Sequence, residues 1–342
     1  MFAKDCWYVA AFSAEITAKP LGRRLLDDPV VMFRTTDGRV AALEDRCCHR
    51  GLPLSMGELV GNDLRCNYHG LVFDCSGQCV RIPGQTAIPP SAKVNSYPLI
   101  EKGGTIWIWM GNPAKADPAL LPPFQWREDP EWVWREGLFH FKCNYELLHD
   151  NLLDLSHLAY VHRYTIGGDP DLHFETETKV GRTERGLTLK RWMPASAAPP
   201  TYAKLVPFDG LVDRWQEVEF SPGLINLYSG AISTGRNALE GERIGGFQLR
   251  LFDAVTPETE TTTHNFFASG HNFRIDESDI SDTLFAELKR TVLEDIEVLD
   301  AQQLRVREGN RKLVDIKLDV AGLQARRLIQ TLKTAGEVQS GA

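Results

Sequence analysis

Near the front of this 342-residue chain, two short runs bring thiols and imidazoles together: Cys47-Cys48-His49 and, sixteen residues later, Cys66-Asn67-Tyr68-His69. Read as spacing, this is C-x-H followed by C-x-x-H, with one thiolate and one imidazole from each loop. Two such loops facing each other offer two of each donor. That set suits either a tetrahedral zinc or a [2Fe–2S] cluster with two Cys on one iron and two His on the other. The mixing of ligand types inside each loop favours the cluster. Zinc sites of this composition usually join a C-x-x-C to an H-x-x-x-H, whereas each loop here must reach both irons.

A second set lies in a Leu-rich stretch, 143–163, whose Leu residues fall on more than one side of a helix, the pattern of a buried helix. It carries Asn151, Asp154, His157 and His162. Polar groups there are costly unless something satisfies them. Two His and a carboxylate from elsewhere would form the facial triad of a non-haem Fe(II) site with positions open for O2. On an ideal helix His157 and His162 diverge by about 140°. Sharing one iron therefore predicts that the helix ends, unwinds or bulges between them, at residues 159–161. For the third ligand, a helix from residue 278 onward aligns Leu284, Leu288, Val292 and Leu299 in one stripe. Asp295 falls inside that stripe, while Glu294, Glu297 and Asp300 fall outside it and read as solvated charges. A carboxylate among buried Leu and Val points to a bound metal or cation.

With its Arg50 after the first His and its Tyr68-His69-Gly70 ending, the first motif resembles the Rieske motif of aromatic-ring oxygenases, Cys48 standing where relatives commonly carry Pro. The Asn-x-x-Asp-x-x-His-x-x-x-x-His arrangement of Asn151, Asp154, His157 and His162 resembles their mononuclear iron motif, and Asp295 stands where the family has its carboxylate ligand. The resemblance implies one [2Fe–2S] cluster on Cys47, His49, Cys66 and His69. It also implies one Fe2+ on His157, His162 and Asp295, with Asn151 near the iron. Asp154 would join His157 to His69 of the partner subunit in a homotrimer, as an electron bridge. Segments such as Cys6-Trp7-Tyr8-Val9-Ala10 and Thr256-Pro257-Glu258-Thr259-Glu260-Thr261 look most like the vanillate O-demethylase and dicamba monooxygenase branch. The implied role is a terminal oxygenase that takes O2, and electrons from NAD(P)H through a separate reductase or ferredoxin, to monooxygenate a small aromatic acid. O-demethylation of a methoxybenzoate-type substrate, releasing formaldehyde, leads; ring cis-dihydroxylation, aryl-methyl hydroxylation and N-demethylation are the alternatives. An electron carrier joined to a binding domain is the non-enzymatic alternative. Asn226 matches a substrate-facing position in that branch, and His264, on a late strand, is expected to line the pocket.

The elements that must hold these groups read as α+β: an all-β N-terminal Rieske domain, 1–120, and a helix-grip-like catalytic domain of antiparallel sheet and helices, 121–342. β-rich runs at 30–33, 40–43, 71–73 and 105–110 alternate with Gly turns. The loop Ile82-Pro83-Gly84-Gln85 is placed as a third wall over the cluster. A Pro-rich passage at 112–124 marks the boundary. Strands follow at 174–180, 187–192, 216–220, 224–228, 247–255 and 261–267, then helices at 278–308 and 315–334 and a loose tail. Hydrophobic content of 43% and charged content of 25% fit a globular protein. No run of eighteen apolar residues could span a membrane. The start lacks a signal-peptide layout, which implies the cytoplasm, where the seven Cys stay reduced and Cys75 and Cys79 are free thiols. A net charge of −8 without a basic block argues against nucleic acid and anionic membrane as partners. Without a Gly-x-Gly-x-x-Gly or flavin signature, the chain is expected to bind no flavin and to rely on another protein for hydride. His149 reads as packing, and His140, His173 and His271 carry no assignment.

Overall fold

Short apolar runs set between turn residues fold the first part of the chain into three small antiparallel sheets. One pairs Cys6–Phe12, Thr105–Met110 and Leu99–Lys102; the second pairs Leu21–Leu25, Asp28–Arg34 and Val40–Glu44. The third, with strands Glu58–Val60, Asp63–Arg65, Val72–Phe73 and Cys79–Arg81, holds the second Cys/His loop. The computed structural model describes residues 2–241, 243–309 and 313–340.

The remainder is a seven-stranded antiparallel sheet. Its order is Val133–Phe141, Thr262–His271, Phe247–Thr259, Leu224–Ser233, Val212–Ser221, Leu187–Ser196 and Thr178–Arg182. The chain is α+β as expected. Successive side chains on a strand point to opposite faces, so the sheet has two distinct surfaces. Leu224, Phe252, Ala254, Phe266 and Ala268 face the N-terminal part and share one buried apolar cluster with Trp7, Val9, Phe12, Trp107 and Trp109. Leu26 N donates to Pro257 O (2.8 Å) and Thr256 Oγ1 to Val9 O (2.8 Å), which ties the same two surfaces. The other face is covered by the helix Ser278–Glu308 and by a split helix around residues 145–161.

Four features depart from the sequence expectations. The strand expected from 174 begins instead at Thr178, because Pro170–Glu175 is a short helix. Asp169 caps that helix by accepting from Asp171 N, and Pro170 occupies its first turn. The last helix starts at Val320 after a 3-10 turn, Lys317–Asp319, and runs on to Ser340, through residues expected to be a loose tail; 341–342 lie outside the described residues. The edge strand Val133–Phe141 was not foreseen, and it closes the sheet against Thr262–His271. Nor was Cys6–Phe12, the strand that joins the two halves of the chain.

Candidate metal centres

The two Cys/His loops fold the same way. Cys47 N donates to Leu52 O (2.9 Å) and Gly51 N to Cys47 O (2.9 Å); in the second loop Cys66 N donates to Leu71 O (2.8 Å) and Gly70 N to Cys66 O (3.0 Å). Each turn closes on a glycine in the left-handed region, φ 74° at Gly51 and 75° at Gly70, where a side chain is strained. The His stands two residues after the Cys in one loop and three after it in the other, yet both imidazoles emerge together, with ring centroids 4.5 Å apart. The donors sort by depth. Cys47 and Cys66 are buried, while His49 and His69 are exposed at the tip. Sulfur inside and nitrogen outside fits a two-iron cluster in which each iron takes one ligand type. Ile82, Pro83 and Gln85 line the same hollow as His49 and His69, the third wall expected from the sequence.

The second site depends on where a helix stops. Asn144 caps Tyr145–Leu153 by accepting from Glu146 N (2.9 Å). The helix ends at Asp154, whose backbone turns extended (φ −105°, ψ 100°) and whose carboxylate accepts from Ser156 N at 2.8 Å. An Asp side chain bonded two residues on is a local turn that competes with helix. One helical turn, Leu158–Val161, follows, with His157 and His162 at its ends. The break therefore lies at 154–157, and the irregularity expected at 159–161 is absent: Val161 N to His157 O (2.9 Å) and His162 N to Leu158 O (3.1 Å) are ordinary helical bonds. Because the helical piece is a single turn, the two imidazoles lean toward each other from its two ends, with centroids 5.1 Å apart. Buried Arg191 donates to Leu155 O within the break (3.3 Å) and to Gln216 Oε1 (3.3 Å). Burial, reinforced by the charge of Arg214, pushes the Arg191 guanidinium down to about 10.

Asp295 arrives from the long helix in the predicted stripe, buried with Leu284, Leu288, Val292 and Leu299. Its Oδ1 lies 3.6 Å from His157 Nε2 and 3.2 Å from His162 Nε2, and one ligand atom from each of the three residues falls within 4.8 Å of the others. The other ring nitrogens are occupied. His157 Nδ1 meets the Asp154 carbonyl, and His162 Nδ1 meets Glu294 Oε2 at 2.8 Å. Protons held on both Nδ1 atoms leave the Nε2 lone pairs converging with the carboxylate, which fits a 2-His-1-carboxylate iron. Burial lowers the pKa of His157; at His162 burial is outweighed by Asp295 and Glu294, and the pKa rises. Asn151 Nδ2 donates to Asp295 Oδ1 (2.9 Å) and fixes the carboxylate.

Glu294, expected to be a solvated charge, is thus the hydrogen-bond partner of His162, a candidate ligand. Its place one residue before Asp295 aims it at the back of His162 while Asp295 meets the front. Glu294→Ala is expected to weaken iron retention about 10–100-fold, the usual cost of losing the partner of a metal-bound His. Competition with a chelator, followed by iron analysis with the cluster absorbance unchanged, measures it.

A cavity opens between this triad and the inner face of the sheet, walled by Leu155, Ile225, Leu227, Leu251 and Phe267. Neither substrate residue expected from the sequence lines it. Asn226 sits on the opposite face and donates from Nδ2 to Pro123 O (2.7 Å); His264 lies on that face too, with Nε2 3.3 Å from Arg24 O. Strand alternation decides both cases, since Ile225 and Leu227 point inward around Asn226. The same alternation places Asp253, two residues beyond Leu251, in the cavity, a placement the sequence reading passed over. Burial pushes its carboxyl up to about 7, against the hydrogen bond from Asn265. His149 is packing, wedged between Tyr145 and Phe220.

Two family models match the chain: "Rieske [2Fe-2S] domain" over residues 6–98 and "Vanillate O-demethylase oxygenase C-terminal domain" over residues 141–335. The chain is similar to the toluene-4-sulfonate monooxygenase system iron-sulfur subunit of Comamonas testosteroni, 40% identical over 98% of each protein. It is similar also to a vanillate O-demethylase oxygenase subunit of a Pseudomonas strain, 35% identical over 100% of this chain and 98% of the other. Among solved structures, dicamba monooxygenase bound to 3,6-dichlorosalicylic acid superposes with a TM-score of 0.92 at 35% identity, covering 100% of this chain and 99% of that one.

Proposed function

This chain belongs to the Rieske non-haem iron oxygenases, as the oxygenase component of a multicomponent system, and from that premise we propose that it monooxygenates a small aromatic substrate by O-demethylation. The observation that carries the reading is an apolar cavity with His157, His162 and Asp295 on one wall. No helix of the described residues is long and apolar enough to cross a membrane.

Bound at these ligands, iron supplies O2 activation, and the cluster supplies single electrons drawn from a separate reductase. The chain's own residues do the rest. Asp154 O and Glu294 hold the imidazole protons away from the metal side, and Asn151 holds Asp295. Leu155, Ile225, Leu251 and Phe267 exclude water and confine an aromatic ring beside the triad. One oxygen atom inserted into a methoxy C–H gives a hemiacetal, which splits into a phenol and formaldehyde. The other oxygen atom leaves as water, with two electrons and two protons consumed. For electron entry we adopt a homotrimer in which Asp154 faces His69 of the partner subunit. The exposed imidazole tip and the half-buried Asp154 beside His157 support that arrangement.

Purified chain supplied with reductase, NADH, O2 and methoxyarenes is expected to release formaldehyde and phenol in equal amounts. A cis-diol without formaldehyde would overturn the reading. Similarity to a toluene-4-sulfonate system favours aryl-methyl hydroxylation as the second reading, and benzylic alcohol from methylarenes would support it.

A further inference from the structure

The inner face of the sheet is largely apolar, with Gln216, Ser229 and one carboxylate as its polar groups at the cavity. Asp253 lies on Phe247–Thr259 and is paired in register with Ile225 on one side and Phe267 on the other, both cavity walls. It is 2% exposed. One carboxylate oxygen, Oδ1, accepts from Asn265 Nδ2 at 3.0 Å; Oδ2 accepts no hydrogen bond among the described residues. A buried carboxylate with a spare acceptor, set in a wall of Ile, Leu and Phe, has a desolvation cost that a ligand's donor would offset.

The counter-charges point the same way. The cavity lining holds no Lys and no Arg. Arg191, which does not line the cavity, donates from its terminal nitrogens to Leu155 O, His173 O and Gln216 Oε1, while its Nε has no partner among the described residues. Fe2+ at the triad would bring two positive charges, set against Asp295 and the Glu294 carboxylate behind His162, which leaves Asp253 without a counter-charge of its own. A ring carrying a carboxylate or sulfonate at this wall would meet either a second anion in a low-dielectric slot or an Asp253 that must first take up a proton, and each is a cost that a neutral donor does not carry.

We infer that Asp253 anchors the substrate, and that the substrate is an aromatic ring whose polar substituent donates a hydrogen bond to that carboxylate, a phenol and not an aromatic acid. This rests on the demethylase reading for the reacting methoxy group, but selects a different ring substituent from the benzoate expected on resemblance. Donation to the spare oxygen of a buried carboxyl group corresponds to a preference on the order of tenfold over a ring that lacks the donor.

The test is equilibrium binding to the fully metallated protein under anaerobic conditions, followed by tryptophan fluorescence or calorimetry. The probes are the ortho, meta and para isomers of methoxyphenol, methoxytoluene and methoxybenzoate. Methoxytoluene replaces the hydroxyl by a methyl of similar size, so their ratio reads the donor alone. The best methoxyphenol isomer is expected to bind on the order of tenfold tighter than its methoxytoluene and methoxybenzoate counterparts. In Asp253→Leu the phenol-to-toluene ratio should collapse to about one. In Asp253→Asn, which keeps shape and an acceptor, the methoxybenzoate should gain affinity. Methoxybenzoate binding tightest to the unaltered protein, or a phenol-to-toluene ratio unchanged in Asp253→Leu, would overturn the inference. If the Leu variant does not fold, the unaltered protein and the Asn variant still decide. Binding is scored apart from turnover: absent formaldehyde with the phenol preference intact defeats the reaction and keeps the anchor, whereas formaldehyde without the preference does the reverse.

Discussion

Asp295→Ala is expected to remove the mononuclear iron and with it all O2-dependent product formation, while the Rieske absorption and spin-resonance signals stay as they are. Iron should fall from about three atoms per chain to about two, the content of the [2Fe–2S] cluster alone. The cause is local. Asp295 is the one anionic ligand that the two Nε2 atoms face, 3.6 Å and 3.2 Å away, and two neutral imidazoles alone are a poor site for Fe2+. Among the described residues the cluster loops share no hydrogen bond with the long helix, so their signals report separately. Three irons retained in the variant would show that the carboxylate ligand had been misidentified; an electron carrier with a binding domain would hold two from the start.

Asp154→Asn probes a different link. An Asn side chain can still accept from Ser156 N, so the turn that ends the helix persists, and the carbonyl that meets His157 Nδ1 is backbone and unchanged. Both metals should bind normally. In the trimer proposed above, what the variant would lose is the negative charge between imidazoles of two subunits. Turnover driven from the reduced cluster is expected to fall on the order of 10–100-fold, as for other partners of metal-bound His. In a single-turnover experiment, pre-reduced protein mixed with substrate and O2 should keep its cluster reduced. Normal coupled turnover would remove Asp154 from the electron path.

What the sequence could disclose divides by range. The placement of candidate ligands spaced within one loop or one helix was legible: the C-x-H and C-x-x-H halves, whose imidazoles emerge together, and Asp295 in its Leu/Val stripe, which the long helix Ser278–Glu308 reproduces. The break at residues 154–157 was misplaced because a Leu-rich pattern reads as unbroken helix, while the signal that ends it is a single Asp side chain folding onto its own backbone. Asn226 and His264 failed for a third reason. Strand propensity located their strands, but which face of the sheet looks at the helices depends on what covers the other face, and the cover comes from residues some two hundred positions away. Asp253 went unnoticed for the same reason, and Glu294 because a half-exposed carboxylate on a helix resembles any surface charge until His162 is placed behind it.

The aromatic cluster of Trp7, Trp109, Phe252 and Phe266 has a consequence beyond packing. It joins the front and back of the chain across one shared buried apolar surface. In the trimer proposed above, the electrical partner of the imidazole tip would be chosen once, when subunits assemble, and not anew in each catalytic cycle. A chain severed near residue 120 would expose bare tryptophan and phenylalanine on both fragments, so the cluster module could not be lent to another oxygenase without also copying the surface that seats it.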